Sequence, residues 1–127
     1  IFLPLQPEEI VPQVWASADI SLVTSKKGLS NDSVPSKTYA IMASARPIIA
    51  MVDENSEVWN IVKESRGGIN VPSEQPKLLV DAILKLYGNK TERLIMGNNG
   101  RKYAERHFSP EVINQKYESF FGDVLDL

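Results

Sequence analysis

The fold of this chain is decided by the stretch Val34-Pro35-Ser36-Lys37-Thr38-Tyr39-Ala40-Ile41-Met42-Ala43-Ser44-Ala45-Arg46-Pro47-Ile48-Ile49-Ala50. It predicts a polar loop, a helix that begins at Pro35, a turn at Arg46-Pro47 and a buried strand. Proline suits the first helical turn, where the other free N–H groups and the helix dipole favour an anion such as a phosphate. The unbroken apolar run Ile48–Val52 is typical of a strand covered on both faces. The stretch therefore predicts an α/β fold with a ligand site at the start of this helix.

Strands and helices alternate along the first part of the chain, which is the order expected for a parallel sheet with helices on its faces. Besides Ile48–Val52, strands are predicted at residues 1–3, 20–23 and 68–71, and further helices near residues 7–16 and 54–65. The last third predicts a helical tail at about residues 75–127. Its helices are Pro76–Tyr87, residues 91–107, and a final helix capped by Ser109 with Pro110 at its first position.

Three details of this prediction concern glycines and aromatic side chains. Gly97 and Gly100 weaken the helix at 91–107 by roughly 1 kcal/mol each relative to alanine, so a break there is one alternative. Gly67-Gly68 is interpreted as backbone freedom at a helix end. The final helix carries an apolar stripe that fits equally well an interface with another lobe or packing on the chain's own sheet. The stripe consists of Ile113, Tyr117, Phe120, Phe121 and Val124.

The composition predicts one domain and excludes several kinds of site. The 127 residues are 43% hydrophobic, contain no cysteine and one histidine, and carry a formal net charge of −2. Disulfides, thiolate nucleophiles and cysteine-ligated zinc are excluded, and neither a metal site nor a cofactor is expected. The charge offers no global attraction to nucleic acid, and Lys26-Lys27 is interpreted as a solvated loop. The chain shows no secretory signal and no apolar run of about 20 residues, which favours a cytoplasmic location.

The chain resembles the donor-binding segment of retaining nucleotide-sugar glycosyltransferases of family 4, which have the two-domain GT-B fold. The Pro35-Ser36-Lys37 helix start resembles in particular the exopolysaccharide and colanic-acid biosynthesis branch. The resemblance continues through most of the chain, in Ala18-Asp19-Ile20-Ser21-Leu22-Val23, Ser56-Glu57-Val58, Gly67-Gly68-Ile69-Asn70-Val71-Pro72 and Met96-Gly97-Asn98-Asn99-Gly100-Arg101.

The resemblance implies a single partial nucleotide-sugar-binding lobe, residues 1–127, with a Rossmann-like parallel sheet. Such a lobe binds a nucleoside-diphosphate sugar, while the acceptor, a glycan or a lipid-linked molecule, is presented by an N-terminal lobe. The chain is expected to begin in mid-fold, to be inactive alone and to self-associate. In the full-length protein, a position at the membrane periphery is left open.

In the resembled family two glutamates, separated by seven residues, lie near the donor sugar and the ribose. By position, Asp32 falls on the first and Ala40 on the second. Ala40 cannot accept a hydrogen bond from a ribose hydroxyl through its side chain. Asp32 is the one candidate for a catalytic residue, with a helix cap as the alternative.

The other donor-binding candidates lie on the same helix. Ser36 and Lys37 fit a diphosphate site, the first as a hydrogen-bond donor and the second as a positive charge beside a departing phosphate. Tyr39 fits packing on the base or on the sheet.

Two other classes of function remain as alternatives. One is a degenerate, non-catalytic transferase lobe that acts as a scaffold, for which Ala40 is the main argument. The other is a receiver-like signalling domain, which needs an acidic phosphoacceptor at the end of a central strand. The strand at 20–23 ends instead in Thr24-Ser25, which disfavours a receiver.

Overall fold

A computed structural model describes residues 2–30 and 33–125 of the chain. A short 3₁₀ turn, Glu8–Ile10, precedes the first α-helix. The helices are α1 Val11–Ser17, α2 Lys37–Ala43, α3 Glu57–Ser65, α4 Pro76–Tyr87, α5 Lys90–Phe108 and α6 Pro110–Leu125, and the strands are β1 Ser21–Thr24, β2 Ile48–Val52 and β3 Gly68–Pro72. Within the described ranges, none of the helices is long and apolar enough to cross a membrane.

The three strands form one parallel sheet in the order β1-β2-β3. Ser21 is paired with Ile48 in the first ladder, and Ile48 with Gly68 in the second. Each pair of strands is joined through a helix, α2 for the first and α3 for the second. This arrangement confirms the predicted α/β class with helices flanking a parallel sheet and a helical C-terminal tail.

The core consists of two apolar clusters, one on each face of the sheet. The first joins alternate residues of β2 to α2 and α3, through side chains such as Ile48, Ile41 and Ile61. The second joins Ile49 of the same strand to Leu86 of α4. Strand β2 is therefore covered on both faces, as its unbroken apolar sequence predicted.

The beginning of the chain differs from the sequence prediction. Phe2 and Leu3 are not in a strand, and Ile1 lies outside the described residues. Both side chains are exposed, and neither residue belongs to the sheet that the described strands form. Apolar residues without a partner strand do not form a strand by themselves. The helix predicted near 7–16 is divided into the 3₁₀ turn and α1, with Pro12 in the first turn of α1.

Helix α5 is continuous through both glycines, so the predicted helix is confirmed and the alternative of a break is wrong. A Cβ at Gly97 would lie 2.1 Å from the carbonyl oxygen of Ala45, one at Gly100 would lie 3.7 Å from the Cα of Gly67, and one at Gly67 would lie 2.9 Å from the Cα of Gly100. The glycines let the backbone of α5 approach the turn after α2 and the turn before β3. Close packing therefore compensates for their low helix propensity.

The interpretation of Gly67-Gly68 as backbone freedom at a helix end is also wrong. The positive φ after α3 belongs to Arg66, at 52°, and neither glycine has a positive φ. A Cβ on Gly68 would lie 1.9 Å from the carbonyl oxygen of Ile48, and one on Gly67 would lie 2.9 Å from the Cα of Gly100. Both glycines are needed for close approach of neighbouring backbones.

The stripe on α6 does not pack on the sheet. Tyr117, Phe120 and Phe121 are more than half exposed, at 59%, 59% and 53%. Ser109 accepts a hydrogen bond from the N–H of Val112 at 3.4 Å, so it caps this helix as predicted. Of the two alternatives for the stripe, the structure excludes packing on the chain's own sheet.

Candidate functional site

The carboxyl edge of the sheet is where an open parallel α/β sheet binds its ligands. Three connections meet at this edge, described at residues 25–30 and 33–36 after β1, 53–56 after β2 and 73–75 after β3. Helix α2 begins from the first of these loops, so its N-terminus lies on the ligand-binding side. The Pro-Ser-Lys segment at residues 35–37 therefore lies at the edge of the sheet where folds of this type bind ligands.

Helix α2 begins two residues later than the sequence predicted. The carbonyl oxygen of Pro35 accepts the N–H of Thr38 at 2.9 Å, and that of Ser36 accepts the N–H of Tyr39 at 3.2 Å. These bonds form a tight first turn and use two of the donors that the sequence left for an anion. The hydroxyl of Ser36 makes no cap bond. The N–H groups of Thr38 and Tyr39 are therefore not free for a ligand, and the site candidates here are Ser36 and Lys37.

Ala40 lies one helical turn beyond Ser36, the residue before α2, and Lys37, its first residue, at spacings of four and three residues. Ser36 is exposed, and Lys37 and Ala40 are half-buried. Lys37 makes no ion pair with another residue that the structure describes. Asp32, the candidate catalytic residue, lies outside the described residues. The structure thus places three of the predicted donor-binding residues side by side.

Tyr39, another donor-binding candidate, packs against a second helix. Its ring contacts Phe108 at the end of α5, edge to face, with 4.7 Å between the ring centroids. Burial raises the pKa of Tyr39, and the charge of Glu57 adds to this effect. Tyr39 and Ala43 line a cleft of about 450 Å³ together with α5 residues including Arg101 and Glu105. Tyr39 therefore packs against the first core cluster, which includes residues of the sheet, and against α5, while contact with a base stays a prediction.

A hydrogen-bond network at the same edge was not predicted from the sequence. Asp53, the first residue after β2, accepts the N–H of Gly28 at 2.7 Å and the N–H of Ser30 at 3.3 Å through the same oxygen, Oδ2. The N–H of Asp53 in turn donates to the hydroxyl of Ser30 at 2.9 Å. The hydroxyl of Ser30 also bonds to that of Ser25, at the end of β1. The β2–α3 loop and the β1–α2 loop are therefore tied together.

The pKa of the Asp53 carboxyl is lowered from its ordinary value. The Ser73 hydroxyl is the largest cause, although the geometry of that contact falls outside the range of a good hydrogen bond. The bonds from Gly28 and Ser30 act in the same direction, and partial desolvation opposes them. Asp53 is therefore held as a carboxylate that accepts main-chain N–H groups.

A cleft of about 480 Å³ opens beside this network. It is lined by residues from all three loops, namely Lys27, Gly28, Asp53, Glu54, Pro72, Ser73 and Gln75. Within the described residues no group of three or more acidic, histidine or cysteine side chains could hold a metal ion.

One signal in the sequence could have indicated Asp53, because it is a carboxylate placed directly after a buried strand.

Comparisons with known proteins relate the chain to glycosyltransferases. No known family model matches it. Over 113 residues, 87% of the chain, the sequence is 30% identical to a probable glycosyltransferase, WbjE, of Pseudomonas aeruginosa, and it spans 27% of that protein. The structure matches sucrose-phosphate synthase of Thermosynechococcus elongatus with a TM-score of 0.83 and 19% identity, over 99% of the chain and 30% of that protein. The chain therefore has the α/β fold of a lobe of a GT-B glycosyltransferase.

Proposed function

We propose that this chain is part of the donor-binding lobe of a retaining family 4 glycosyltransferase that uses a nucleoside-diphosphate sugar. The observation that carries the proposal is the 30% identity to a glycosyltransferase over 87% of a chain with a GT-B lobe fold. The acceptor is a glycan or a lipid-linked molecule of polysaccharide biosynthesis, presented by a second lobe. The sequence Pro35-Ser36-Lys37, where α2 begins, supports the exopolysaccharide and colanic-acid branch.

In this proposal residues 31–37 form the diphosphate-facing wall of the donor site, which we call the donor wall. Negative charge develops on the diphosphate as its bond to the sugar breaks. The ammonium group of Lys37 stabilises that charge, and the hydroxyl of Ser36 donates to a phosphate oxygen. Ala40 follows on the same helix face, at a place where the resembled family has a glutamate. The ribose hydroxyls must therefore find their acceptors elsewhere.

The first experiment measures binding and turnover with the intact protein. A panel of uridine and guanosine diphosphate-sugars should include one donor with saturable binding. Lys37→Ala should then lower turnover at sub-saturating donor by about ten- to a hundredfold, because a charge contact in the transition state is lost. Lys63→Ala is the control, since Lys63 is an exposed lysine in the last turn of α3. Unchanged kinetics in the Lys37 variant would remove this residue from the site.

Ala40 supports a second candidate, a non-catalytic lobe that acts as a scaffold. Ala40 is half-buried, so a longer side chain has a route to the surface. Ala40→Glu should change donor affinity without unfolding the protein if the position faces the donor. Saturable donor binding without transfer to any acceptor would favour the scaffold.

A receiver-like signalling domain is disfavoured by the state of Asp53. Asp53 does follow the middle strand of the described sheet, where a receiver carries its phosphoacceptor. Its Oδ2 atom, however, already accepts two main-chain N–H groups. These two hydrogen bonds lower the nucleophilicity of that oxygen toward a phosphoryl group and assign the side chain a role in holding the loop.

Further parts of the proposal concern the whole chain. We infer that residues 1–127 act as one partial lobe, with the sheet and its helices at about 1–72 and the helical tail at about 75–127. Nucleic acid is not an expected partner, because the formal net charge is −2. A cytoplasmic location fits a nucleotide-sugar donor and stays a proposal.

A further inference from the structure

We propose that Asp53 is a positioning residue that holds the β1–α2 loop, and with it the donor wall, in a ligand-ready arrangement. The inference deepens the proposed function and rests on it. Asp53 does not belong to the segment that would touch the donor. It acts through the loop that leads into that segment, so its effect on the donor is indirect.

The first argument is the direction of the hydrogen bonds. Gly28 and Ser30 both donate their main-chain N–H groups to one oxygen of Asp53. The return bond runs from the N–H of Asp53 to the hydroxyl of Ser30. Two segments separated by more than twenty residues are thereby linked three times. We call these three bonds the loop anchor.

The second argument is that the loop has few other restraints. Lys26, Lys27, Gly28 and Leu29 are all exposed, and the N–H of Leu29 returns to the carbonyl oxygen of Lys26 in a turn. Gly28 has a φ of 83°, which turns its N–H toward the carboxylate at little cost for a glycine. Ser30, in contrast, is only 4% exposed. The anchor therefore fixes the loop at the point where it enters the donor wall.

The third argument is that a buried hydroxyl, unpartnered in the part of the chain that the structure describes, lines the same cleft as the carboxylate. Ser73 is 8% exposed, and its Oγ atom has no hydrogen-bond partner among the described residues. Ser73 lines the same cleft as Asp53 and comes from the third loop of the edge. Residues from all three loops therefore line the cleft beside the Asp53 carboxylate.

The consequence for binding follows from populations. A donor binds the arrangement in which the wall is in place, and its apparent dissociation constant rises in inverse proportion to the fraction of molecules in that arrangement. If removal of the anchor leaves about one tenth of the molecules in that arrangement, donor binding weakens about tenfold. No contact with the donor needs to be lost for this to happen.

The test uses the intact protein and two measurements. Hydrogen–deuterium exchange followed by mass spectrometry reports on a peptide covering residues 25–30 and on a control peptide from α5. Titration with the uridine or guanosine diphosphate-sugar that binds best reports the donor affinity. Asp53→Ala should accelerate exchange in the loop peptide about tenfold, leave α5 unchanged, and raise the donor dissociation constant about tenfold.

Two variants separate positioning from a general loss of structure. Asp53→Asn keeps a carbonyl oxygen that can replace Oδ2, so it should recover most of the donor affinity. Glu54→Ala removes a neighbouring carboxylate that is exposed and lines the same cleft, and it should behave like the wild type. If Asp53→Ala fails to fold, Ser30→Ala removes the acceptor of the Asp53 N–H and the hydroxyl bond to Ser25 while keeping the carboxylate, and it should give a smaller effect of the same kind.

The outcomes distinguish this inference from the proposed function. Faster loop exchange with unchanged donor affinity overturns the inference, and so does unchanged loop exchange. Glu54→Ala with the same effect as Asp53→Ala would also overturn it, because the cause would then be charge at the edge. A wild type that binds none of the diphosphate-sugars is a failure of the proposed function. A wild type that binds, with an Asp53→Ala variant that binds equally well, is a failure of the anchor.

Discussion

Gly97→Ala gives a sharp test of how α5 supports the rest of the lobe. Alanine in place of glycine inside a helix ordinarily stabilises it by about 1 kcal/mol. At this position, however, the new Cβ would lie 2.1 Å from the carbonyl oxygen of Ala45 and 2.7 Å from its carbonyl carbon. Both atoms are backbone, so no side chain can rotate away. Helix α5 or the turn after α2 has to move.

The expected magnitude is the difference of two terms. Overpacking of a well-packed site costs about 1–3 kcal/mol, and more where the backbone must shift. After subtraction of the propensity gain, we expect the free energy of unfolding to fall by about 2 kcal/mol. Gly122→Ala in α6 is the matched control, because no atom lies within 4 Å of its added Cβ. That variant should gain about 0.5–1 kcal/mol.

Urea unfolding followed by far-ultraviolet circular dichroism measures both variants against the wild type. A lower midpoint at an unchanged slope reports lost stability and not a change in the unfolded chain. The reasoning is refuted if Gly97→Ala is as stable as the wild type or gains stability alongside Gly122→Ala. Such a result would mean that α5 does not approach the Ala45 turn as closely as described.

Three further outcomes are expected. Ala45 has a φ of 53° and occupies the position after the α2 C-cap where glycine is favoured, so Ala45→Gly should raise the free energy of unfolding by about 0.5–1 kcal/mol in the same urea assay. Burial, and after it the hydrogen bond to Glu64, raises the pKa of Tyr103 to about 12. The stability that this group contributes is therefore complete below its ordinary pKa of 10.0 and is lost as the pH rises toward 12. Between about pH 9 and about pH 11 the free energy of unfolding should therefore fall more for the wild type than for Tyr103→Phe, and an equal fall would contradict this cause. The exposed stripe on α6 and the edge strand β1 should make the 127-residue chain self-associate. If light scattering shows a strict monomer at all concentrations, these surfaces need no partner.

The elements that the sequence predicted well are those with strong local signals. The bounds of α4 and the continuous apolar strand β2 were predicted because periodicity and hydrophobic runs depend on nearby residues. The strand at residues 1–3 was wrong, since strand formation needs a partner that the local sequence does not reveal. The glycines were misjudged for a similar reason. Their role depends on the backbones that approach them, and those contacts are distant in sequence.

The candidate site was predictable only in part. The placement of Ala40 one turn beyond Ser36 and Lys37 follows from helical spacing, which the sequence contains. The loop anchor at Asp53 joins two loops that are far apart along the chain, so no local pattern predicts it. Its position directly after a buried strand was the available signal. A rule that examines polar residues at the carboxyl end of every predicted strand would have included it.

The close approach at Gly68 determines which residues of β2 and β3 lie opposite each other. In a sheet with one wet face, a slip by one residue is prevented because it would turn apolar side chains toward water. Strand β2 is apolar on both sides, so hydrophobicity alone barely distinguishes the correct alignment from a shifted one. The space beside the carbonyl group of Ile48 admits no Cβ, and Gly68 is the one glycine of β3. This single residue therefore supplies the alignment signal that the apolar pattern lacks.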